Sequence, residues 1–344
     1  MDQAQAIRKG EELPLDKIEL YLRKNIEGLE GEMSVNQFHG GHANLTYLFK
    51  FGNRELVLRR PPFGKIAPGA HDMKREFRVL SKLYNHYPAA PRAFQYCEDE
   101  SIIGARFVVM ERRTGVVLRY QLPDCFVGLQ DVEERCTLAL VQAQADLHNV
   151  DVDAAELNKL GRPEGFAERQ LTGWGQRWKL SQSEVNKDME RLHTLLQKDI
   201  PAPQSVSVIH NDFKFDNCQF QPDNPDKITS VFDWDMCTIG DPLFDFGSTL
   251  GYWPNDYFSE EMPILLKGNF PKRDYLINRY AELTGFHMDR IAWYESFAFY
   301  KTAIILQQLY QRYLKGDTSD PRMAKFEMAA KEYSAAAIKI IQKA

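Results

Sequence analysis

Two short stretches carry the residue types that could do chemistry: Val208-Ile209-His210-Asn211-Asp212-Phe213-Lys214-Phe215-Asp216-Asn217 and Val231-Phe232-Asp233-Trp234-Asp235. Between them, residues 218–221 and 228–232 have strand character and are joined by PDNPDK, a run of turn-forming residues. A hairpin centred on Pro225 would set Asn217 opposite Asp233 at its base, with Cβ atoms about 5 Å apart. An amide oxygen and a carboxylate so placed can share a hard cation such as Mg²⁺, which takes one or two protein ligands beside phosphate oxygens. Asp212 stands five positions before Asn217, on the loop that enters the first strand. From there it can accept the proton of an incoming hydroxyl. Singly, each of these residues is an ordinary turn former. Together they offer a base, Asp212, and two metal ligands, Asn217 and Asp233.

The spacing H-x-D-x-x-x-x-N followed by a strand-borne Asp matches the template for phosphoryl transfer from ATP. Such chemistry also requires a phosphate cradle and a cation. Gly40 and Gly41, in HGGHAN between two strand-like runs, would let backbone N–H groups approach phosphate oxygens without a Cβ in the way. In ELVLRR, alternation puts Val57 and Arg59 on one face, Val57 to cover an adenine and Arg59 to reach the α- and β-phosphates. Arginine stands where most kinases have lysine, and its fixed charge and forked geometry suit phosphate. Downstream, Met73, Phe77, Leu80 and Tyr84 form an apolar helical stripe with Glu76 on the same face. A carboxylate there is costly unless paired, and Arg59 is its natural partner; the alternative is a Glu at the stripe's edge reaching solvent. Met110, Glu111 and Arg113 end a strand and begin a connector whose backbone would read the adenine edge. The side chains of Glu111 and Arg113 are equally well explained as solvated charges.

The elements needed to position these groups can be read from local patterns. Pro14 opens a helix with Leu15, Ile18, Leu22 and Ile26 on one face. Strands follow at 33–38, 45–51 and 54–60, with Gly52-Asn53 as a hairpin turn. A helix over 72–84, a strand over 106–110 and mostly helical patterns beyond residue 125 complete the order, with 205–233 the exception. The fold class is therefore α+β, with a small β-rich N-lobe (1–112), a larger, mainly helical C-lobe (113–344) and a cleft at the junction. The 344 residues suffice for two such lobes. A net charge of −5 offers no general attraction to nucleic acid, and no uncharged apolar run of membrane-spanning length is present. The segment MDQAQAIRKGEEL lacks the apolar stretch of a secretory signal, and the five scattered cysteines fit reduced thiols in the cytoplasm. Nothing in the patterns bears on oligomeric state.

IHNDFKFDNCQF and VFDWDMCTIGDPLFDFGSTL resemble the paired signatures of the aminoglycoside phosphotransferase and choline kinase family, from about residue 34 to the mid-200s. ELVLRRPP, REFRVL, FVVMERRTG and GRPEGFAERQLTGW resemble the branch that includes the phosphotransferase domains fused to some acyl-CoA dehydrogenases. The resemblance implies a bilobal protein-kinase-like fold that uses ATP and Mg²⁺ to phosphorylate a small hydroxylated molecule. Its branch points to a hydroxyacyl compound. It also assigns Asp241 and Asp245 to a GDPxxD element that braces the catalytic loop, which removes the literal Asp245-Phe246-Gly247 from metal binding. A protein acceptor is not expected, since only seven residues separate Asp233 from Asp241. The ending AAAIKIIQKA lacks the acidic character that an aminoglycoside acceptor calls for. Two other readings stand beside this one: a metallohydrolase using His210, Asp212, Asp233 and Asp235, and a nucleotide-binding scaffold without turnover. Lys214 is either a γ-phosphate ligand or a solvated loop lysine. His148 reads as a core or capping histidine, and Trp174 and Trp178 read as core before they read as pocket lining.

Overall fold

The computed structural model describes residues 4–39, 44–64, 71–119, 121–254, 257–258, 268–318 and 320–343. Helix α1 (Leu15–Asn25) buries Ile18 and Leu22, and Ile26 follows them into the core, while Leu15 is 42% exposed. The apolar stripe thus begins one turn later than its spacing suggested. Strands β1 (Met33–Phe38), β2 (Leu45–Phe51) and β3 (Arg54–Arg60) fall where alternation placed them. Helix α2 (Met73–Leu83) starts on Asp72, whose side chain accepts from Arg75 N–H and so satisfies one orphan donor of the first turn. Strand β4 (Ala93–Cys97) was not anticipated, and β5 (Phe107–Glu111) begins and ends one residue later than expected. All pairings are antiparallel, in the order β1-β2-β3-β5-β4.

The remaining elements are β6 (Val116–Val117), α3 (Val132–His148), α4 (Phe166–Ser181), α5 (Lys187–Lys198), β7 (Ser207–Ile209), β8 (Cys218–Gln221), β9 (Asn224–Val231), β10 (Thr238–Gly240), α6 (Pro242–Gly251), α7 (Arg273–Thr284), α8 (Ile291–Leu314) and α9 (Phe326–Lys343). The chain divides into two compact units: Met1–Asp146, Val150–Leu160 and Phe215–Thr238 in the first, and Leu147–Asn149, Gly161–Lys214 and Ile239–Ala344 in the second. This grouping differs from a boundary at 112/113 for a physical reason. β8 pairs with both β6 and β9, and Val231 N–H donates to Ala89 O, so the β8–β9 hairpin is tied into the first unit.

The hairpin register corrects the expected one. Cys218 faces Val231, and Phe232 N–H donates to Asn217 O at 3.0 Å, so the residue across from Asn217 is Phe232 rather than Asp233. The turn is only Pro222-Asp223, with Asp223 at φ 65°, and register shifts on either side of Phe220 absorb the extra residues of the longer β9. Pro225 sits inside β9, an edge strand, where its missing N–H costs no ladder bond.

In the second unit, β7 pairs with β10 and α6 lies along α8. At Gly247 the two helices approach each other closely. A Cβ there would stand 2.8 Å from the carbonyl carbon of Tyr294 and 2.9 Å from its oxygen, so only glycine lets α6 seat at this depth. Among the described residues no helix is long and apolar enough to cross a membrane.

Candidate active site

In the first unit the informative residues gather around Arg59. β3 is flanked by β2 and β5, and Arg59 is 8% exposed. Its guanidinium donates to Glu76 Oε1, on the buried face of α2, and to Asp233 Oδ1 at 2.7 Å. The Arg59–Glu76 pair is the one expected from helix periodicity; the bond to Asp233 was not foreseen. Burial works against the charge on Arg59, but Glu76 and Asp233 outweigh it and hold the group above its ordinary pKa. Burial pushes the Glu76 carboxyl up to about 7, with Arg59 opposing. The reason is visible in the geometry: Glu76 is fully buried, and its Oε2 has no hydrogen-bond partner among the described residues. Oε1 also receives Trp234 N–H at 3.4 Å, so α2 holds both the arginine and the residue after Asp233.

Asp233 has φ 72°, a left-handed backbone that non-glycine residues seldom adopt and that occurs preferentially at functional positions. Its neighbour Asp235 accepts from Asn44 Nδ2 at 3.3 Å, which ties this turn to the start of β2. Gly40 and Gly41 lie outside the described residues. Val57 and Met110 are cross-strand partners, both buried, and Met110 also pairs with Ala93. Glu111 N–H donates to Arg92 O at 2.8 Å, while its carboxylate accepts from Arg92 N–H and lies 3.0 Å from Arg113 Nε. Both side chains thus brace the connector rather than standing as solvated charges.

In the second unit, one face of α6 and its C-cap organise the loop at 210–214. Asp245 is fully buried; its Oδ2 accepts from His210 N–H at 2.8 Å and its Oδ1 from Asn211 N–H at 2.7 Å. One turn on, Thr249 Oγ1 donates to Phe213 O at 2.8 Å, and then Tyr252 OH donates to Asp212 Oδ1 at 2.9 Å. Positions i, i+4 and i+7 share a helix face, so a single stripe grips the loop. His148 stands behind Asp245, with Nε2 at 3.1 Å from its carboxylate and Nδ1 at 2.6 Å from Tyr280 OH. It is a core histidine, as its place on the apolar side of α3 indicated. Asp241 caps α6, accepting Leu243 N–H and Tyr294 OH. Asp212 Oδ2 lies 3.0 Å from Lys214 Nζ, and Asn211, at φ 69°, carries the left-handed backbone that turns the loop.

Hard oxygen donors suit Mg²⁺, and the carboxylate of Asp233 with the buried amide of Asn217 supplies them. Among the described residues no group of three or more His, Cys, Asp or Glu is arranged to hold a metal, so a protein-only cage is not on offer. Two oxygens fit an ion that completes its shell with phosphate. His210, needed by the hydrolase alternative, is fully buried and sits 3.3 Å from Asp212 N–H through Nδ1.

The Arg59–Glu76 geometry makes a coupled pair expected. Arg59→Ala should raise the apparent KM for ATP, and Glu76→Ala should do so to a smaller degree. The double variant should fall short of the summed losses by about 0.5–3 kcal/mol in a cycle on kcat/KM. Additivity within about 0.3 kcal/mol would mean the pair does not act together, and Arg60 or Lys65, the latter outside the described residues, would then be the better candidate for the phosphate-anchoring cation.

A model of the phosphotransferase enzyme family, APH, matches residues 34–283. Acyl-CoA dehydrogenase family member 10 of Mus musculus is 33% identical over 326 residues, covering 91% of this chain and 30% of that protein. Family member 11 of Homo sapiens is 30% identical over 319 residues, covering 88% of this chain and 40% of that protein. The chain therefore spans less than half the length of these relatives. Among solved structures, a Ralstonia eutropha protein provisionally named an aminoglycoside phosphotransferase superposes with a TM-score of 0.79 at 26% identity, covering 96% of this chain and 99% of that one. Choline kinase from Cryptosporidium parvum superposes with a TM-score of 0.60 at 16% identity, covering 96% of each chain. A thermostable mutant of aminoglycoside phosphotransferase APH(4)-Ia, in ternary complex with ADP and hygromycin B, gives 0.60 at 16% identity over 94% of this chain and 97% of that one. The α+β, protein-kinase-like fold is thereby shown. Matched over most of its length and folded as these solved proteins are, the chain belongs to the phosphotransferase enzyme family.

Proposed function

We propose that this phosphotransferase is a small-molecule kinase that moves the γ-phosphoryl group of ATP, with Mg²⁺, onto an alcohol. The observation that carries the reading is the buried Arg59 bonded at once to Glu76 of α2 and to Asp233. A cation on β3, a glutamate on the following helix and an acid after the hairpin are the parts a kinase uses to hold nucleotide phosphates. In this reading Gly40, Gly41 and Arg59 hold the phosphates, Glu76 positions Arg59, and Val57 with Met110 and the connector at Glu111 and Arg113 receives the adenine. Asn217 and Asp233 would hold Mg²⁺, which when bound neutralises charge on the phosphate oxygens. Asp212 accepts the hydroxyl proton as the acceptor oxygen bonds to the γ-phosphorus and the bridging P–O bond breaks, releasing ADP. Tyr252 and Lys214 fix the carboxylate that does this, and positioning of this kind supplies much of the rate in phosphoryl transfer.

A hydroxyacyl compound remains the acceptor favoured by the kinship with the acyl-CoA dehydrogenase relatives, and the five scattered cysteines favour a cytoplasmic setting. Purified protein with Mg·ATP, presented with hydroxy acids, hydroxyacyl-CoAs, amino alcohols and antibiotics, should form ADP in an acceptor-dependent manner. Tight nucleotide binding with no turnover on any of them would turn the assignment to a scaffold.

A further inference from the structure

Lys301 is a cation the proposed mechanism does not use. It lies in the middle of α8, partly buried, and donates to Asn211 O at 3.2 Å, the carbonyl of the peptide that leads into Asp212. An ammonium has three donors, and among the described residues Lys301 has no further hydrogen bond and no carboxylate in ion-pair contact. Burial pulls it below its ordinary pKa, while Asp212 and Asp245 oppose this. Its Nζ stands 5.8 Å from the ring centroid of Trp174, and the guanidinium carbon of Arg177 stands 4.4 Å from the same centroid. Arg177 is exposed and likewise has no ion-pair partner among the described residues. The indole of Trp174 is 7% exposed, so a fixed ring supports both charges.

We propose that Lys301 and Arg177 select an acceptor that carries a negative charge near the hydroxyl to be phosphorylated, a proposal that rests on the kinase reading. Two cations that form no ion pair among the described residues create an attractive potential beside the proposed base, which the more distant Asp212 and Asp245 offset only in part. Lys214 adds a third positive charge in this region, although Asp212 pairs with it. A cationic acceptor, such as an amino sugar or amino alcohol, meets repulsion here; a carboxylate or phosphate meets donors. Neither Lys301 nor Arg177 needs to touch the reacting atoms, so both are specificity-determining residues rather than catalytic ones.

The anionic group can belong to a free hydroxy acid or to the phosphates of a coenzyme A thioester. The test uses linear ω-hydroxycarboxylates, their methyl esters, the coenzyme A thioesters of the same acids, and ethanolamine, with wild type, Lys301→Met, Lys301→Arg and Arg177→Met. Wild type should prefer an anionic acceptor over the methyl ester by roughly 10- to 100-fold in kcat/KM, the range set by a charge-assisted hydrogen bond. Preference for the free acid assigns the charge to the acceptor's own carboxylate, and preference for the thioester assigns it to the phosphates. Each Met variant should lose that preference through the acceptor KM, with KM for ATP unchanged and Lys301→Arg retaining most of it. Wild-type preference for the ester or ethanolamine would overturn the proposal. So would Met variants that lower kcat equally for charged and neutral acceptors, because Lys301 would then only brace the Asn211 carbonyl. ADP formation with none of the acceptors would remove the kinase reading and this proposal with it.

Discussion

Asparagine in place of Asp212 is expected to lower kcat by roughly 10²–10⁴-fold, with ATP affinity changed by no more than a few-fold. The substitution preserves shape and an oxygen for Tyr252 OH, which bonds Asp212 Oδ1 at 2.9 Å. It removes the charge that pairs with Lys214 and, in the proposed mechanism, the basicity that would take the proton. Steady-state kinetics with a nucleotide-binding measurement separates the two quantities. Near-wild-type turnover of Asp212→Asn would take the base away from this residue and leave the loop with a positioning role only.

The second large effect separates two acids that sequence alone invites one to confuse. Asp233→Ala should abolish Mg²⁺-dependent nucleotide binding while most of the thermal stability survives, since the Asp233 side chain is 28% exposed. Asp245→Asn should do the reverse. It leaves two backbone donors and the buried His148 without their charged acceptor, a loss on the order of 3–5 kcal/mol. Burial raises the Asp245 carboxyl, but the hydrogen bond and charge of His148, with His210, bring it below the ordinary 3.8. A depressed carboxyl contributes stability that is present above the unfolded value and is lost as pH falls through the folded one. Wild type should therefore lose this contribution on acidification, whereas Asp245→Asn should show a lower Tm at neutral pH and a shallower acid limb. Metal titrations beside thermal melts at several pH values decide the matter; metal dependence moving to Asp245 would refute the assignment.

Local structure was legible because it is written in local periodicity. Alternation gave β2 and β3 to the residue, and the stripe on α2 that brought Glu76 inward also named Arg59 as its partner. The Asn217–Asp233 pairing failed in register because a symmetric hairpin was assumed. A two-residue turn with the extra residues bulged out of β9 is equally compatible with PDNPDK, and one residue of slip changes which residue lies across the base. The contacts that organise the loop at 210–214 were harder to see. Lys301 meets Asn211 across 90 positions of sequence, and Tyr252 meets Asp212 across 40. No spacing rule reaches that far. The available signal was a lysine set in the apolar run FAFYKTAIIL, where an unexplained charge asks for a partner.

Gly247 has a bearing on motion. At Gly247 no side chain stands between α6 and the backbone of α8, so the two helices are expected to fluctuate together, and Asp245, Thr249 and Tyr252 ride on the first while Lys301 rides on the second. The segment from His210 to Asp212 is gripped from both, so on the picosecond-to-nanosecond scale its order parameters should match those of packed helix rather than those of surface loops. What looks like a connecting loop in the sequence is, mechanically, an extension of the helical layer.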